Sequence, residues 1–436
     1  MKTHRNRLTP CDLWLSNSRV KKQRSSLLFH LIPILLISIS IALFAACRQT
    51  GSSPKPDRST IKLGFFGDLS GPTFNYGESA KNGVLMAADQ INQGGGIKGR
   101  NLDIVIEDDH GSPEHAAMLT GKLIEQDKVV AIIAGGTSGN SRAAAPKAQA
   151  SHVPLVAPSS TDPAVTQVGD YIFRACFVDA FQGDVMARFA INTLKAHRAA
   201  ILFDFNSSYG RGLSDYFELS FAKLGGDIVG KLSYQQNDAD FRGQLSSIQN
   251  LGVDVIYVPG YYGDVALIAK QARAIGLKQP LLGGDGWDAP ELWQLGGDAL
   301  NGSFITTHYS VDDPSPAVQQ FVREYKLRYG NLLPDAHAAL AYDATRVLAA
   351  AIDAAGSTNG ELVRDALAKT KDFPGVTGVI SIDANRNAIK PVVVLRLLDG
   401  KYIYQESIQP EPPPPSPSPS PSSSTTRKTR RLKSIR

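Results

Sequence analysis

Hydroxyl and aromatic side chains, together with one carboxylate, occupy the loops that directly follow predicted strands. In the first half of the sequence these are Phe74, Tyr76, Ser138, Ser159 and Thr161, and in the second half they are Tyr209, Tyr261, Asp285 and Trp287. Ligands of open parallel sheets bind in the crevice beyond the carboxyl ends of the strands. We therefore expect these side chains to line one small-molecule site.

This mixture of side chains suits a zwitterionic amino acid. Backbone N–H groups and hydroxyls near a helix N-terminus hold an anion well, and residues 135–140 and 159–161 offer both to a ligand carboxylate. Asp285, with tyrosine hydroxyls, offers a charged acceptor to a ligand ammonium. Phe74, Tyr261 and Trp287 are expected to contact the apolar part of the ligand. Each residue alone is often a turn or cap residue, so the prediction rests on the set.

The patterns that resemble catalytic motifs occur in the wrong context. Gly94, Gly96 and Gly99 match a dinucleotide-binding pattern, but they follow a predicted helix and precede a strand, so we interpret them as a surface turn. The acidic run 107–110, even with His115, has no second His or Cys cluster and is interpreted as a polar loop at a strand end. We expect a protein that is not an enzyme and needs no metal or cofactor.

The elements that must position these residues follow an alternating pattern. Short apolar runs alternate with amphipathic helices from Ile61 onward, which is typical of a parallel sheet with crossover helices. The predicted strands are 61–66, 102–108, 129–134, 154–157 and 171–174, then 199–205, 227–233, 253–259, 281–284 and 302–307. Helices are predicted at 316–329, 334–355 and 360–370, and further strands at 376–382, 391–398 and 401–405.

The two similar series predict an α/β fold of two similar Rossmann-like lobes with parallel sheets flanked by helices. We expect lobe 1 to contain residues 60–178 and 309–380, and lobe 2 to contain residues 179–308 and 381–408. The chain would then cross between the lobes near Val178, Tyr309 and Ile380. Such a hinge would allow the lobes to close on a ligand.

Both ends of the chain differ from this body. Residues 1–46 contain seven Lys or Arg and one acid, and residues 409–436 contain six and one, so the body is net negative although the whole chain carries +5. Nothing in the body suggests a basic stripe for nucleic acid. Residues 47–59 are expected to be a flexible linker. The Pro/Ser and basic run 409–436 is expected to be a disordered tail, either simply solvated or binding an acidic surface.

The N-terminus is typical of an export signal. Basic residues precede a stretch, 25–46, without Lys, Arg, Asp or Glu, which ends at Cys47. Two interpretations remain open: a lipoprotein signal with Cys47 lipidated, or an uncleaved membrane anchor. Either one tethers an exported body to the membrane. Cys176, which follows a predicted strand, is interpreted as a small buried residue rather than a nucleophile.

The segment from Ile61 to Asp109 contains four short motifs in order: Ser-Gly-Pro at 70–72, Tyr-Gly at 76–77, Gly-Gly-Ile-Lys-Gly at 95–99 and Asp-Asp at 108–109. It resembles the opening of the leucine/isoleucine/valine-binding class of type I periplasmic binding proteins. The resemblance implies a monomeric solute-binding protein that delivers a small amino acid or amide to the permease subunits of an ABC importer.

The resemblance also implies roles for individual residues. Ser138, Thr161 and the backbone of Ser159 match positions that hold the ligand carboxylate. Asp285 and Tyr209 or Tyr261 match positions on the ammonium side, and Tyr76 matches a cleft wall. Asp285 stands where the best-known members have Glu, so its carboxylate reaches one methylene less. Two other functions remain open: a ligand-sensing domain coupled to a signalling partner, and a hydrolase or deaminase using the same cleft.

Overall fold

A computed structural model describes residues 60–410 of the chain. The first part builds a parallel five-stranded sheet in the order β2-β1-β3-β4-β5. Its strands are β1 (Ile61–Gly67), β2 (Leu102–Asp108), β3 (Ala131–Ala134), β4 (Leu155–Ala157) and β5 (Ile172–Arg174), and its helices are α1 (Phe74–Gln93), α2 (Pro113–Glu125), α3 (Ser138–Ala150) and α4 (Ala164–Gln167). Strands β3, β4 and β5 are buried along their whole length, as expected for a sheet covered on both faces.

The second part repeats this alternation. Its elements are α5 (Asp179–Asn192), β6 (Arg198–Asp204), α6 (Ser208–Lys223), β7 (Asp227–Tyr234), α7 (Arg242–Gln249), β8 (Val255–Tyr257), α8 (Tyr262–Ala274), β9 (Leu281–Gly283), α9 (Pro290–Gly296) and β10 (Ser303–Thr307). Two 3₁₀ turns, Asp285–Trp287 and Gly297–Leu300, lie between them. The strands β10, β9, β8, β6 and β7 are neighbours in that order and run parallel.

The last part extends the second sheet and adds a small third sheet. It contains α10 (Pro316–Arg328), α11 (Ala336–Ala355), α12 (Gly360–Ala368), β11 (Phe373–Gly375), β12 (Gly378–Ile382), β13 (Ala388–Ile389), β14 (Val392–Leu398) and β15 (Lys401–Ile408). Strand β14 pairs antiparallel with β10, and β15 pairs antiparallel with β14, which extends the second sheet to seven strands. The strands β11, β12 and β13 form a small antiparallel sheet of their own.

Helix α11 is fixed by its ends and by one close contact. The Asp335 side chain caps it by accepting from the N–H of Ala338, and Gly356 ends it in the left-handed conformation. It packs on α1 so closely that a Cβ at Gly83 would lie 2.1 Å from the carbonyl oxygen of Ala338. Glycine at 83 therefore allows the helix that begins beside the site to seat against the first sheet.

All the predicted strands and the three predicted C-terminal helices are confirmed to within a few residues. The fold is mixed α/β with parallel sheets flanked by helices, as predicted. Strands β11 and β13 were not predicted. Ile380 and Ala388 belong to the same buried cluster as Leu63 of the first sheet. The position of the third crossover stays a prediction.

The predictions for the two ends of the chain concern residues outside the described range 60–410. The export signal, Cys47 and the linker 47–59 lie outside this range, as do residues 411–436 of the tail. Within residues 60–410, none of the helices combines the length and apolar character that crossing a membrane requires.

Candidate functional site

A small cavity lies between the carboxyl ends of the two parallel sheets. Among the side chains that line it are Tyr76, Ser138, Ser159, Thr161, Tyr209, Tyr261 and Asp285. Its volume is about 20 Å³, well below the 300–1,000 Å³ typical of small-molecule pockets. An amino acid therefore needs a wider cleft than this conformation offers.

The wall on the first sheet is built from hydroxyls and backbone at the start of α3. Ser141 and Ser160 share a hydrogen bond of 2.7 Å, and the Ser160 hydroxyl donates to the carbonyl oxygen of Gly136 at 3.2 Å. The Ser138 hydroxyl accepts from the N–H of Asp162 at 3.3 Å. These contacts join the loop after β3 to the loop after β4, so both present their polar groups to the cavity in one arrangement.

A buried guanidinium holds this wall from behind. Arg174, at the end of β5, donates to the carbonyl oxygens of Ser160 at 2.6 Å and Asp162 at 2.7 Å. Its side chain is fully buried, and burial lowers the pKa of Arg174. A guanidinium nevertheless stays charged in proteins. The first wall therefore has a positive charge behind it and hydroxyls at its surface.

The wall on the second sheet is aromatic and acidic. The Tyr209 hydroxyl donates to Oδ1 of Asp285 at 3.0 Å and accepts from the N–H of Gly286 at 3.1 Å. The Tyr209 ring stacks on Tyr261, with centroids 5.3 Å apart. Gln182 fixes the turn by accepting from the N–H of Asp285 at 2.8 Å. Asp285 is thus held in one orientation at the cavity.

Asp285 is an ionised carboxylate at neutral pH. Burial by itself would raise the pKa of Asp285, but the hydrogen bond from His308 Nε2, at 3.0 Å, holds that pKa below its usual value. Burial lowers the pKa of His308 to about 4, so His308 is neutral and its Nε2–H is the donor. The His308 ring is fixed by stacking on Phe177, with centroids 3.8 Å apart.

A second buried carboxyl group, Asp179, lies close to Asp285. Burial, reinforced by the charge of Asp285, raises the pKa of Asp179 well above its usual value. Gln182 donates to Asp179 at 3.4 Å. The raised pKa of Asp179 and the lowered pKa of Asp285 both favour placing the negative charge of the pair on Asp285.

Contacts between the lobes close the cleft beside the cavity. The Tyr76 hydroxyl donates to the carbonyl oxygen of Gly286, and Asn75 donates to the Tyr262 hydroxyl at 3.0 Å. Tyr262 in turn donates to the carbonyl oxygen of Pro72 at 3.2 Å. The contact between Asn75 and Tyr262 joins α1 to α8, and the other two join these helices to the backbone of Gly286 and Pro72.

Two predicted site residues lie elsewhere. Phe74 is 44% exposed at the first position of α1 and does not line the cavity. Trp287 is fully buried in the core of the second sheet, where its indole N–H donates to the carbonyl oxygen of Val258 at 2.9 Å. The 3₁₀ turn directs Asp285 toward the cavity and Trp287 toward the sheet. Neither residue lines the cavity in this conformation.

Three polar residues of the site were not predicted. Gln182 and His308 position Asp285, and His337 lines the cavity directly. His308 immediately follows β10, so inspecting every strand end would have identified it. His337 lies in the first turn of α11, far along the chain, where no strand-end rule applies.

The remaining predictions about motifs concern structure. The glycine-rich segment 94–99 forms a turn closed by two hydrogen bonds between Ile97 and Arg100, with Gly96 and Gly99 at positive φ, so the surface turn is confirmed.

Cys176 is buried and donates weakly to the carbonyl oxygen of Ser160, and burial raises its pKa to about 12. The predicted small buried residue is therefore confirmed.

Carboxylates of Asp68, Asp108 and Asp109 approach one another at the ends of β1 and β2. Each accepts hydrogen bonds from neighbouring groups: Asp68 from the N–H and hydroxyl of Thr73, Asp108 from Ser70, and Asp109 from Asn140. The cluster ties together the loop that leads into α1 and Tyr76, which accords with the predicted polar loop.

Two α/β units whose parallel sheets meet at a small polar cavity are typical of the class of two-lobed solute-binding proteins. Residues 60–401 match the family described as periplasmic binding protein, and the chain belongs to that family.

Individual relatives are similar over most of their length. The leucine-, isoleucine-, valine-, threonine- and alanine-binding protein of Pseudomonas aeruginosa is 30% identical over 344 residues, which is 78% of this chain and 91% of the relative. The solved leucine-binding protein LivK of Thermotoga maritima is 38% identical with a TM-score of 0.77, covering 80% of this chain and 99% of that one. The substrate-binding protein LivJ of Streptococcus pneumoniae, solved with isoleucine, is 34% identical with a TM-score of 0.77, covering 80% and 100%.

Proposed function

We propose that this protein captures a small amino acid or related amide between its lobes and delivers it to an ABC importer. One observation carries the proposal. The cavity has an ionised, hydrogen-bonded Asp285 on one lobe and a neutral wall of hydroxyls on the other. A zwitterion matches both walls at once, because its ammonium needs an anion and its carboxylate needs donors.

In this proposal the carboxylate binds to the first lobe. The N-cap residue of α3, Thr137, gives no side-chain hydrogen bond to the first turn, so the helix N-terminus keeps donors for a ligand. Ser138, Thr161 and the backbone of Ser159 surround the same position. The Arg174 charge behind the loop adds to the attraction for an anion.

The ammonium binds to the second lobe. Asp285 accepts from it, Tyr209 keeps the carboxylate aligned, and Tyr261 covers one side. Tyr76 from the first lobe forms the opposite wall and donates to Gly286 across the cleft. A ligand that contacts both lobes stabilises the closed state by its differential affinity for that state. Binding, closure and delivery are thereby linked.

The relatives support the ligand class and the importer. Their names specify binding of aliphatic amino acids, and one was solved as a transporter substrate-binding protein with isoleucine. Since they are named as binding proteins, a sensing domain or an enzyme in this cleft is not favoured. We further propose that the protein acts as a monomer and is tethered through lipidated Cys47, with an uncleaved N-terminal helix as the alternative anchor.

The proposal is tested by calorimetry of the purified body with the twenty amino acids, urea and simple amides at neutral pH. We expect at least one amino acid to bind with a dissociation constant in the micromolar range or tighter, about −8 kcal/mol or more favourable. Heats indistinguishable from dilution for every amino acid and amide would contradict the proposal.

A further inference from the structure

The imidazole of His337 has no assigned role in the site described above. It belongs to the first turn of α11 and lines the cavity with only 7% of its surface exposed. Its ring stacks on Tyr76, with centroids 4.1 Å apart and an angle of 24° between the planes. The stacking contact uses the face of the His337 ring and leaves the two nitrogens at its edge free of this contact.

Both ring nitrogens of His337 are buried without a hydrogen-bond partner among residues 60–410. Most buried polar groups in folded proteins have at least one partner, so an unpaired group calls for an explanation. His308 differs, because its Nε2 donates to Asp285. Burial lowers the pKa of His337 to about 4, so the neutral ring offers one donor and one acceptor at physiological pH.

The part of the ligand that meets His337 follows from the other contacts. The hydroxyls of the first lobe take the carboxylate and Asp285 takes the ammonium, which leaves the wall of Tyr76 and His337 for the side chain. An aliphatic side chain would leave both His337 nitrogens unpaired when the cleft closes. A hydroxyl or amide would pair with one or both of them.

We propose that His337 is a specificity-determining residue that hydrogen-bonds to the ligand side chain, so that this protein prefers amino acids with a side-chain hydroxyl or amide over their aliphatic isosteres. This inference rests on the proposed function and narrows its substrate class. A site that hydrogen-bonds a substrate group rejects the analogue lacking it, because its own buried polar groups are then left unpaired.

Two pairs of similar shape test the preference: threonine against valine, and asparagine against leucine. By calorimetry, wild-type protein should bind the polar member of at least one pair about tenfold more tightly or better. The H337F variant keeps an aromatic ring on Tyr76 and should lose that preference, while H115F, a change at an exposed histidine of α2, should retain it. Tighter binding of both aliphatic members by wild-type protein would overturn the inference.

A second measurement does not depend on how the variant folds. In wild-type protein labelled with ¹⁵N-histidine, the imidazole nitrogen shifts of His337 should change more with the polar member of the preferred pair than with its isostere. Equal shifts with both members would overturn the inference. Binding of valine or leucine in preference leaves the proposed function intact, whereas an absence of binding by every amino acid contradicts the proposed function itself.

Discussion

The two walls of the cleft differ in the charge that each one buries and in whether that charge faces the cavity. The first lobe buries a cation, Arg174, behind a loop and shows the ligand only hydroxyls and backbone. The second lobe buries an anion, Asp285, and exposes that charged group to the cavity. Under the proposed function this difference means that one end of the ligand is bound by neutral donors and the other by a direct ion pair. It also orients the ligand, since a reversed zwitterion would place its carboxylate against Asp285.

Removing the anion should have the largest effect. Asp285→Asn is expected to weaken amino-acid binding by about 2 to 5 kcal/mol, because a buried ammonium loses its charged acceptor. Asp298→Asn, at an exposed acid of the same lobe, should leave affinity unchanged. Calorimetry with the tightest ligand measures both variants. Equal affinity of wild type and Asp285→Asn would mean that the ammonium binds elsewhere.

Replacing the buried cation Arg174 should mainly lower the stability of the folded protein. Arg174→Met removes the charged donor of the Ser160 and Asp162 carbonyl oxygens, which should lower the free energy of unfolding by about 2 to 4 kcal/mol. Arg198→Met is the matched control, because Arg198 also donates to two carbonyl oxygens but at the surface. Its loss should change stability by less than about 1 kcal/mol in urea unfolding. Similar losses for both variants would contradict a special role of the buried guanidinium.

A pH titration extends the comparison to Asp335, a buried acid whose hydrogen bonds among residues 60–410 come from the Ser79 hydroxyl and the N–H of Ala338. Burial, reinforced by the charge of Asp288, raises the pKa of Asp335 to about 7, whereas Asp285 beside His308 has a lowered pKa. The folded state therefore holds a proton on Asp335 that the unfolded chain releases near pH 4, so this contribution to stability falls as the pH rises from about 4 to 7.

The variant Asp335→Asn should flatten that dependence. Between pH 5 and 7 the wild type is expected to lose on the order of 2 kcal/mol through this group, and the variant to lose correspondingly less. Asn retains an acceptor for the N–H of Ala338, so the helix cap is kept. Urea unfolding at a series of pH values provides the test, and parallel curves for the two proteins would show that Asp335 does not titrate in this range.

The smallest effect on stability is expected for a change at Cys176, which lies behind the first wall. Cys176 donates to the same carbonyl oxygen of Ser160 that Arg174 contacts, at 3.4 Å. Cys176→Ser supplies a hydroxyl of similar shape, so the free energy of unfolding should change by less than about 1 kcal/mol and affinity should not change. A loss as large as that of Arg174→Met would mean that the thiol contributes to fixing the loop as strongly as the guanidinium does.

The sequence predicts the walls better than it predicts individual side-chain directions. Apolar runs and helical periods are local, so the sequence predicts strands such as β3 and β4 directly, and Ser138 and Thr161 follow these strands. Whether a side chain in such a loop faces the cavity depends on the turn that follows, which is why Trp287 enters the core. His337 reaches the cavity because Gly83 lets α11 approach α1, and this contact between distant segments has no local signal.

Binding of an amino acid and its two half-analogues tests the central claim most directly. One analogue lacks the ammonium and is a simple acid, and the other lacks the carboxylate and is a simple amine, with the side chain unchanged. Calorimetry with wild-type protein should show that each analogue binds at least about a hundredfold more weakly than the amino acid, a difference of about 2.7 kcal/mol. Affinity of either analogue equal to that of the amino acid would contradict recognition by one wall of neutral donors and one wall with an ionised carboxylate.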